Sequence, residues 1–344
     1  MPIRIYRFGL NFIAAVCFLL VFFILVDKGL PQFSIASSDY LHSFKTMFIS
    51  ILLEAIPFIL LGVILSSLLQ VFVSEQTISR IIPKNPILGI LFACVMGIIF
   101  PMCECGMIPV VRRLIMKGMP VYIAIVFICT GPIINPIVYA STFLAFRSRP
   151  EIAYSRMGLA FAVAFAIGLI LYRYVKKNPL RQNKSNRIEP HSHHHHHEHH
   201  DHGHSHGGRV ATFFVHASDE FFEMGKYLIF GSLITAGIQT FLARDLLVGI
   251  GQGPLSSHLF MMGFGYVLSL CSTSDAFVAS SFTNTFTAGS LLTFLVFGPM
   301  LDFKNTLMLL SIFKTRFVLI LSILIAITVL SGSLIVERLF FMQG

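Results

Sequence analysis

The sequence predicts an all-α polytopic membrane protein made of two inverted-topology repeats with re-entrant or broken helical hairpins, preceded by one leading transmembrane helix. Three observations carry this expectation. Of 344 residues, 55% are hydrophobic and only 12% charged, with a mean hydropathy of +0.80, more apolar surface than a single soluble core can bury. Apolar runs at 9–26, 46–73, 86–102, 119–146, 157–172, 221–243, 257–271, 288–312 and 317–336 are mostly long enough to cross hydrocarbon at about 1.5 Å per helical residue. Finally, the chain matches itself. Sliding it along its own length lays LLEAIPFILLGVILSSLLQVF (52–72) on FFEMGKYLIFGSLITAGIQTF (221–241), LFACVMG (91–97) on LFMMGFG (259–265), Cys103 on Cys271, and GPIINP (131–136) on GPMLDF (298–303). Four landmarks in one order indicate duplication.

Taken in order, 1–45 form the leading helix and an outer loop, 46–173 the first repeat, 174–210 a cytoplasmic linker and 211–344 the second repeat. The run at 9–26 lacks a small-residue cleavage pattern and more spans follow, so it reads as a retained helix. With Arg4 and Arg7 inside, 46–73 returns the chain and leaves Arg80 and Lys84 cytoplasmic. A single crossing at 86–117 would then export Arg173, Lys176, Lys177, Arg181, Lys184 and Arg187; a dip, or two short crossings, keeps them inside. The equivalent dip at 257–287 gives the repeats opposite orientations and brings their tips together near the midplane. The formal net charge of +9 therefore sets topology in the plasma membrane rather than marking a nucleic-acid partner. Thirty-five Phe without Trp make Phe and Tyr the interfacial aromatics.

The first tip, FPMCECGMIP (100–109), sets two thiols and a carboxylate at apolar depth. In a continuous helix, residues two apart point about 200° apart, so Cys103 and Cys105 grip one object only if Pro101, Gly106 and Pro109 leave the segment bent or unwound. Thiolates suit soft ions such as monovalent copper, zinc or trivalent arsenic. Cys271 in SLCSTSDAF offers a third sulfur, with Ser272, Thr273, Ser274 and Asp275 as oxygen donors. Cys17, Cys94 and Cys129 read as small core hydrophobes. Charged groups at the centre of a span cost about 2.5–3.5 kcal/mol, so the matched Glu54 and Glu223 are coupling or gating candidates, with pairing to Lys226, three residues on, the alternative reading of Glu223. Asn135, Asp302, Lys304 and Asn305 form a second polar layer where Gly-Pro interrupts a span and exposes carbonyls to a cation; mutual Asp302–Lys304 neutralisation is the plainer reading. His258 reads as an interfacial residue rather than the base of an intramembrane enzyme.

The linker holds HSHHHHHEHHDHGHSHGG (191–208), with His191, His193, His194, His195, His196, His197, His199, His200, His202, His204 and His206. It is low-complexity and unfolded by itself. Dense neutral imidazoles bind zinc or another divalent metal weakly and many at a time, in a sensing, buffering or transport role. No cofactor is required elsewhere, and no G-x-x-x-x-G-K phosphate loop followed by Ser or Thr occurs, so ATP hydrolysis by this chain is not expected.

PMCECGMIPVVRRLIMKGMP (101–120), GPIINP (131–136), SLCSTSDAFVA (269–279) and GPMLDFKN (298–305) together resemble the predicted permeases of the YraQ/ArsP type, over nearly the whole chain apart from the leading helix and the His tract. The resemblance implies a multi-span inner-membrane permease, and its ArsP branch implies export of trivalent organoarsenicals through substrate thiols, here Cys103 and Cys105 with Cys271 as a partner. It also implies a small membrane partner subunit. Glu104 replaces the small residue common in the middle of that Cys-x-Cys, which turns the preference toward a zinc-like cation. The expected function is a permease, not an enzyme, for a thiophilic metal ion or metalloid at a midplane site; the alternative is a membrane-embedded metal-sensing or assembly subunit that conducts nothing.

Overall fold

Helix lengths decide the architecture. In a computed structural model, residues 38–72, 74–83, 85–100, 102–175, 179–181, 209–241 and 253–341 are described. The leading run at 9–26, Cys17 and the His tract lie outside them. The described first half contains α1 (Ser38–Phe72), α2 (Glu75–Ile81), α3 (Pro86–Ile99), α4 (Glu104–Met116), α5 (Val121–Thr130), α6 (Pro136–Ala145) and α7 (Glu151–Tyr174). The second contains α8 (Arg209–Phe241), α9 (Pro254–Leu268), α10 (Asp275–Ser280), α11 (Ala288–Met300), α12 (Phe303–Ile312) and α13 (Thr315–Val336), closed by a π-helical turn Glu337–Phe341. An isolated antiparallel bridge, Leu180 to Phe313, is the one non-helical pairing among the described residues. Arg181 N donates to Ile312 O (2.7 Å) and Lys314 N to Pro179 O (3.0 Å), so the start of the linker is held on the second half.

Among the described residues, five segments have the length and composition to cross a membrane: His42–Gln70, Glu151–Tyr174, Ala217–Thr240, Ala288–Ile312 and Thr315–Phe340. α3, α5, α6 and α9, of 10 to 15 residues, are too short to cross about 30 Å alone. The apolar run 119–146 is accordingly not one helix. It is interrupted between α5 and α6, as 288–312 is between α11 and α12, and at the same motif. Asn135 caps α6 by accepting from Val138 N (2.9 Å), and Asp302 caps α12 by accepting from Asn305 N (2.5 Å). A short polar side chain that satisfies the third backbone N–H of the following helix is what makes each restart cheap at membrane depth.

The halves share one order of elements: a long helix, a Pro-initiated short helix, a tip, two short helices split by a cap, and a long helix. They pack reciprocally. α1 lies on α8 and α7 on α13, while the tip helix α4 meets α12 of the second half and the tip helix α10 meets α6 of the first. Without a hydrophobic force between helices in lipid, close backbone approach supplies the attraction. A Cβ on Gly97 would stand 3.2 Å from Gly131 Cα, and one on the matching Gly265 3.6 Å from Gly298 Cα. The tightest approach is α1 on α4, where a Cβ on Gly62 would fall 2.2 Å from the carbonyl oxygen of Gly106. Backbone cannot yield as a side chain does. Gly62→Ala is therefore expected to cost about 1–3 kcal/mol, read as a lowered unfolding temperature of the purified protein in detergent; an unchanged temperature would show that the two helices part freely.

Candidate functional site: the meeting of the two tips

α3 is capped at its C-terminus by Phe100, whose N–H still bonds to Met96 O, and α4 begins four residues later at Glu104. The unwound stretch is shorter than the sequence suggested: Gly106 and Pro109 lie inside α4, and only the segment before Glu104 is open. This suffices. Cys103 is the N-cap, in extended backbone (φ −72°, ψ 165°), and Cys105 stands in the first turn, so the helical 200° divergence does not apply and the two thiols lie within electrostatic reach of each other. Proline has no N–H, so Pro109 leaves the carbonyl of Cys105, four residues earlier, without its helical donor.

Cys105 and Glu104 are buried, and Cys103 is half-buried. The N-terminus of α12 comes up against that of α4. Lys304, on its first turn, stands within electrostatic reach of Cys103, Glu104, Cys105 and Asp302. Cys271, whose Sγ lies 3.5 Å from Thr273 Oγ1, feels the charges of Glu104 and Glu54, and Ser274 Oγ donates to Glu54 Oε1 at 3.5 Å. Sequence positions 54, 103–105, 271 and 302–305 thus come to one place. Three carboxylates face one ammonium there, with three thiols beside them.

Several of these groups have no partner. Glu104 Oε1, Asp302 Oδ2 and both polar atoms of Asn305 are buried without a hydrogen bond. Such atoms cost about 1–3 kcal/mol each when left unsatisfied, so the cluster is suited to receiving something polar. The resident groups do not converge tightly: among the described residues, no three of His, Cys, Asp and Glu come together at metal-holding separation. A soft ion would be met by the Cys103–Cys105 pair first, and a third ligand would require closure. All five described cysteines are free thiols. Cys94 and Cys129 are buried in the apolar core, away from this cluster.

Other sequence candidates are placed differently. The Asn135 amide donates to Gly131 O (3.0 Å) and Pro132 O (3.4 Å), so those carbonyls, expected to be open to a cation, are occupied by the cap. Asp302 spends one oxygen on capping α12, and Lys304 reaches Ser269 O at 3.5 Å. Asp275 Oδ2 is held at 2.7 Å by Arg156 Nη2, which also donates to the backbone oxygen of Ser272 (3.1 Å), while Arg156 Nη1 donates to Thr142 (2.8 Å). Glu223 pairs with Arg112 of α4 at 2.9 Å, linking the first tip to the second half.

Sequence reasoning missed three sets of residues. Arg156, a lone Arg at the start of an apolar run, is fully buried. Glu220, near Arg113 (3.5 Å) and accepting from Ser66 (2.8 Å), forms a second link between α4 and α8. His258, expected at an interface, is fully buried in a hydrogen-bonded network. For His258 the available signal was a polar residue within the run 257–271, the criterion that selected Glu54; Arg156 stands one residue before the run 157–172.

The reciprocal short helices, the interrupted spans and a polar cluster enclosed where the halves meet define a class: a multi-pass membrane protein built as permeases are. The chain belongs to the ArsP_1 family, described as predicted permease, whose model matches residues 40–338. It is 50% identical over 302 residues, 88% of this chain and 99% of the other, to the UPF0718 protein YcgR of Bacillus subtilis (strain 168). A Streptococcus mutans (serotype c, strain UA159) protein named "Putative two-component membrane permease complex subunit" is 39% identical over 274 residues, 79% of this chain and 88% of that one. No solved structure matches the chain. The protein is a multi-pass permease-family member of the plasma membrane, a transporter class rather than an enzyme class.

Proposed function

We propose that the chain is a permease that carries a thiophilic metal ion or metalloid, a zinc-like cation or a trivalent arsenical, between the two tips, and that its halves are inverted repeats rocking about that site. The observation that supports this most is the buried Cys103–Glu104–Cys105 turn at a helix start, beside the unpartnered oxygens of Asp302 and Asn305. Thiols bind soft ions and metalloids, and the surplus of carboxylates over the single Lys304 favours a cation within that class. Glu54 and Ser274 touch across the halves, and Glu223 with Arg112 does so farther along α4, so both carboxylates sit where relative movement of the halves would break contacts. The Streptococcus relative's name supports a second reading of the assembly: the chain working with a small membrane partner, as one subunit of a two-component permease.

Reconstitution tests the transport step. Proteoliposomes of the full chain are expected to move zinc or trivalent methylarsenite across the bilayer at a rate well above empty liposomes, whereas binding without flux by the chain alone would leave the sensing or assembly role. In the same assay, deletion of 191–206 is expected to shift the half-saturating zinc concentration by no more than about tenfold and leave maximal flux, because clustered neutral imidazoles bind metal weakly and raise its local concentration. Loss of all flux on that deletion would move the site to the loop.

A further inference from the structure

His258 of α9 is fully buried, and its two ring nitrogens are both engaged. Nε2 lies 2.6 Å from Glu337 Oε2, at the π-helical turn where α13 ends. Nδ1 lies 2.8 Å from Thr293 Oγ1 of α11 and 3.1 Å from Ser333 Oγ of α13. Thr293 Oγ1 is also within reach of Gly289 O (3.1 Å) and Ser333 Oγ (2.8 Å), and Ser333 Oγ of Leu330 O (3.0 Å). Single π-turns of this kind recur at functional sites.

From this geometry we infer that His258 with Glu337 is a proton-binding site. A hydroxyl both donates and accepts, so the network is satisfied in two states. With the ring neutral, Nε2–H donates to the Glu337 carboxylate and the Thr293 hydroxyl donates to Nδ1. With one more proton, Nδ1–H donates to Thr293 Oγ1, and the Thr293 hydroxyl turns to Gly289 O. Only that rotation separates the states, and neither leaves a buried donor or acceptor unpaired. The carboxylate balances the imidazolium, the compensation a buried charge requires. Glu337, 13% exposed against none for His258, is the entry point.

The repeat sharpens the assignment. At the same junction of the first half, Ile90 and Val126 occupy the positions of His258 and Thr293, and a Cβ on Gly168 would meet them both, at 3.0 and 2.6 Å. The apolar version packs three helices equally well, so packing alone does not call for the polar one. Among the described residues of the three helices that form the network, none adds a competing charge beside this pair. α11 carries no titratable side chain, α9 only Tyr266 about two turns away, α13 only Arg316 at its far end, and Arg338 beside Glu337 is exposed.

The use of this proton as the coupling ion rests on the transport reading; its binding does not. Infrared pH titration of the purified full chain, compared with H258Q, cancels the other histidines. One imidazole step is expected in wild type and absent from H258Q, and E337Q, which keeps an acceptor for Nε2–H but removes the balancing charge, should displace that step. Identical titrations of wild type and H258Q, or a step unmoved by E337Q, would overturn the site. In proteoliposomes an imposed pH gradient should accelerate zinc flux in wild type and not in H258Q; equal acceleration in both would remove the coupling role. If wild-type liposomes move neither zinc nor methylarsenite, the transport reading fails while the titration still decides the proton site.

Discussion

Cys105→Ser is expected to lower substrate flux at least about a hundred-fold, the upper end of what altering even the outer surroundings of a metal ligand does, while membrane insertion and unfolding temperature should stay near wild type. Serine fills nearly the same volume, so the packing of α4 on α1 around Gly62 and Gly106 survives. What is lost is a soft donor within electrostatic reach of Lys304 on the first turn of α12. Cys103→Ser should act in the same direction, because it removes the other thiol at the same helix start. Cys94→Ser and Cys129→Ser serve as controls: both are buried away from the cluster, and their replacement should leave flux per folded molecule unchanged. Flux and half-saturation for zinc and methylarsenite in proteoliposomes give the measurement. Wild-type flux from both Cys103 and Cys105 variants would dissociate the tip from transport.

Arg156→Met destabilises the protein by about 3–5 kcal/mol, the cost of leaving a buried charge unpaired. Arg156 ties α7 of the first half to the second tip through Asp275 and the Ser272 carbonyl, and to α6 through Thr142. Removing the guanidinium strands the Asp275 carboxylate, whose other oxygen already lacks a partner. The double variant Arg156→Met with Asp275→Leu should recover most of the loss, since replacing both members of a buried pair by apolar groups is often neutral. Thermal unfolding of the two variants in detergent separates these cases. Equal destabilisation by the single and the double change would show that shape, not charge, holds this junction.

Both outcomes bear on how far the chain can be read without coordinates. Alternation of apolar runs with cationic segments identified the membrane class, because a bilayer demands long apolar segments and Lys and Arg resist translocation. Self-similarity located both tips and both Gly-Pro interruptions, and the paired caps Asn135 and Asp302 follow from it. Where the reading faltered, side-chain partners were at issue. Lys226 stood three residues from Glu223 on one helix, yet Arg112 of another helix makes the 2.9 Å pair. The carbonyls of Gly131 and Pro132 looked open, yet Asn135 folds back over them. Local spacing cannot rank a neighbour on the same helix against one delivered by packing.

By itself, the sequence determined what a solvent-like environment selects residue by residue: an all-helical membrane chain, its duplicated order, and thiols with a carboxylate at a helix break. Only tertiary structure decided which polar groups meet. Glu104, Lys304 and Asp302 come from different halves and converge because α4 crosses onto α12, while Arg156 and His258 find their carboxylates through helices distant in sequence. The physical reason is that hydropathy acts on each segment independently, whereas a buried hydrogen bond or ion pair exists only when two backbones have already been brought within a few ångströms of each other.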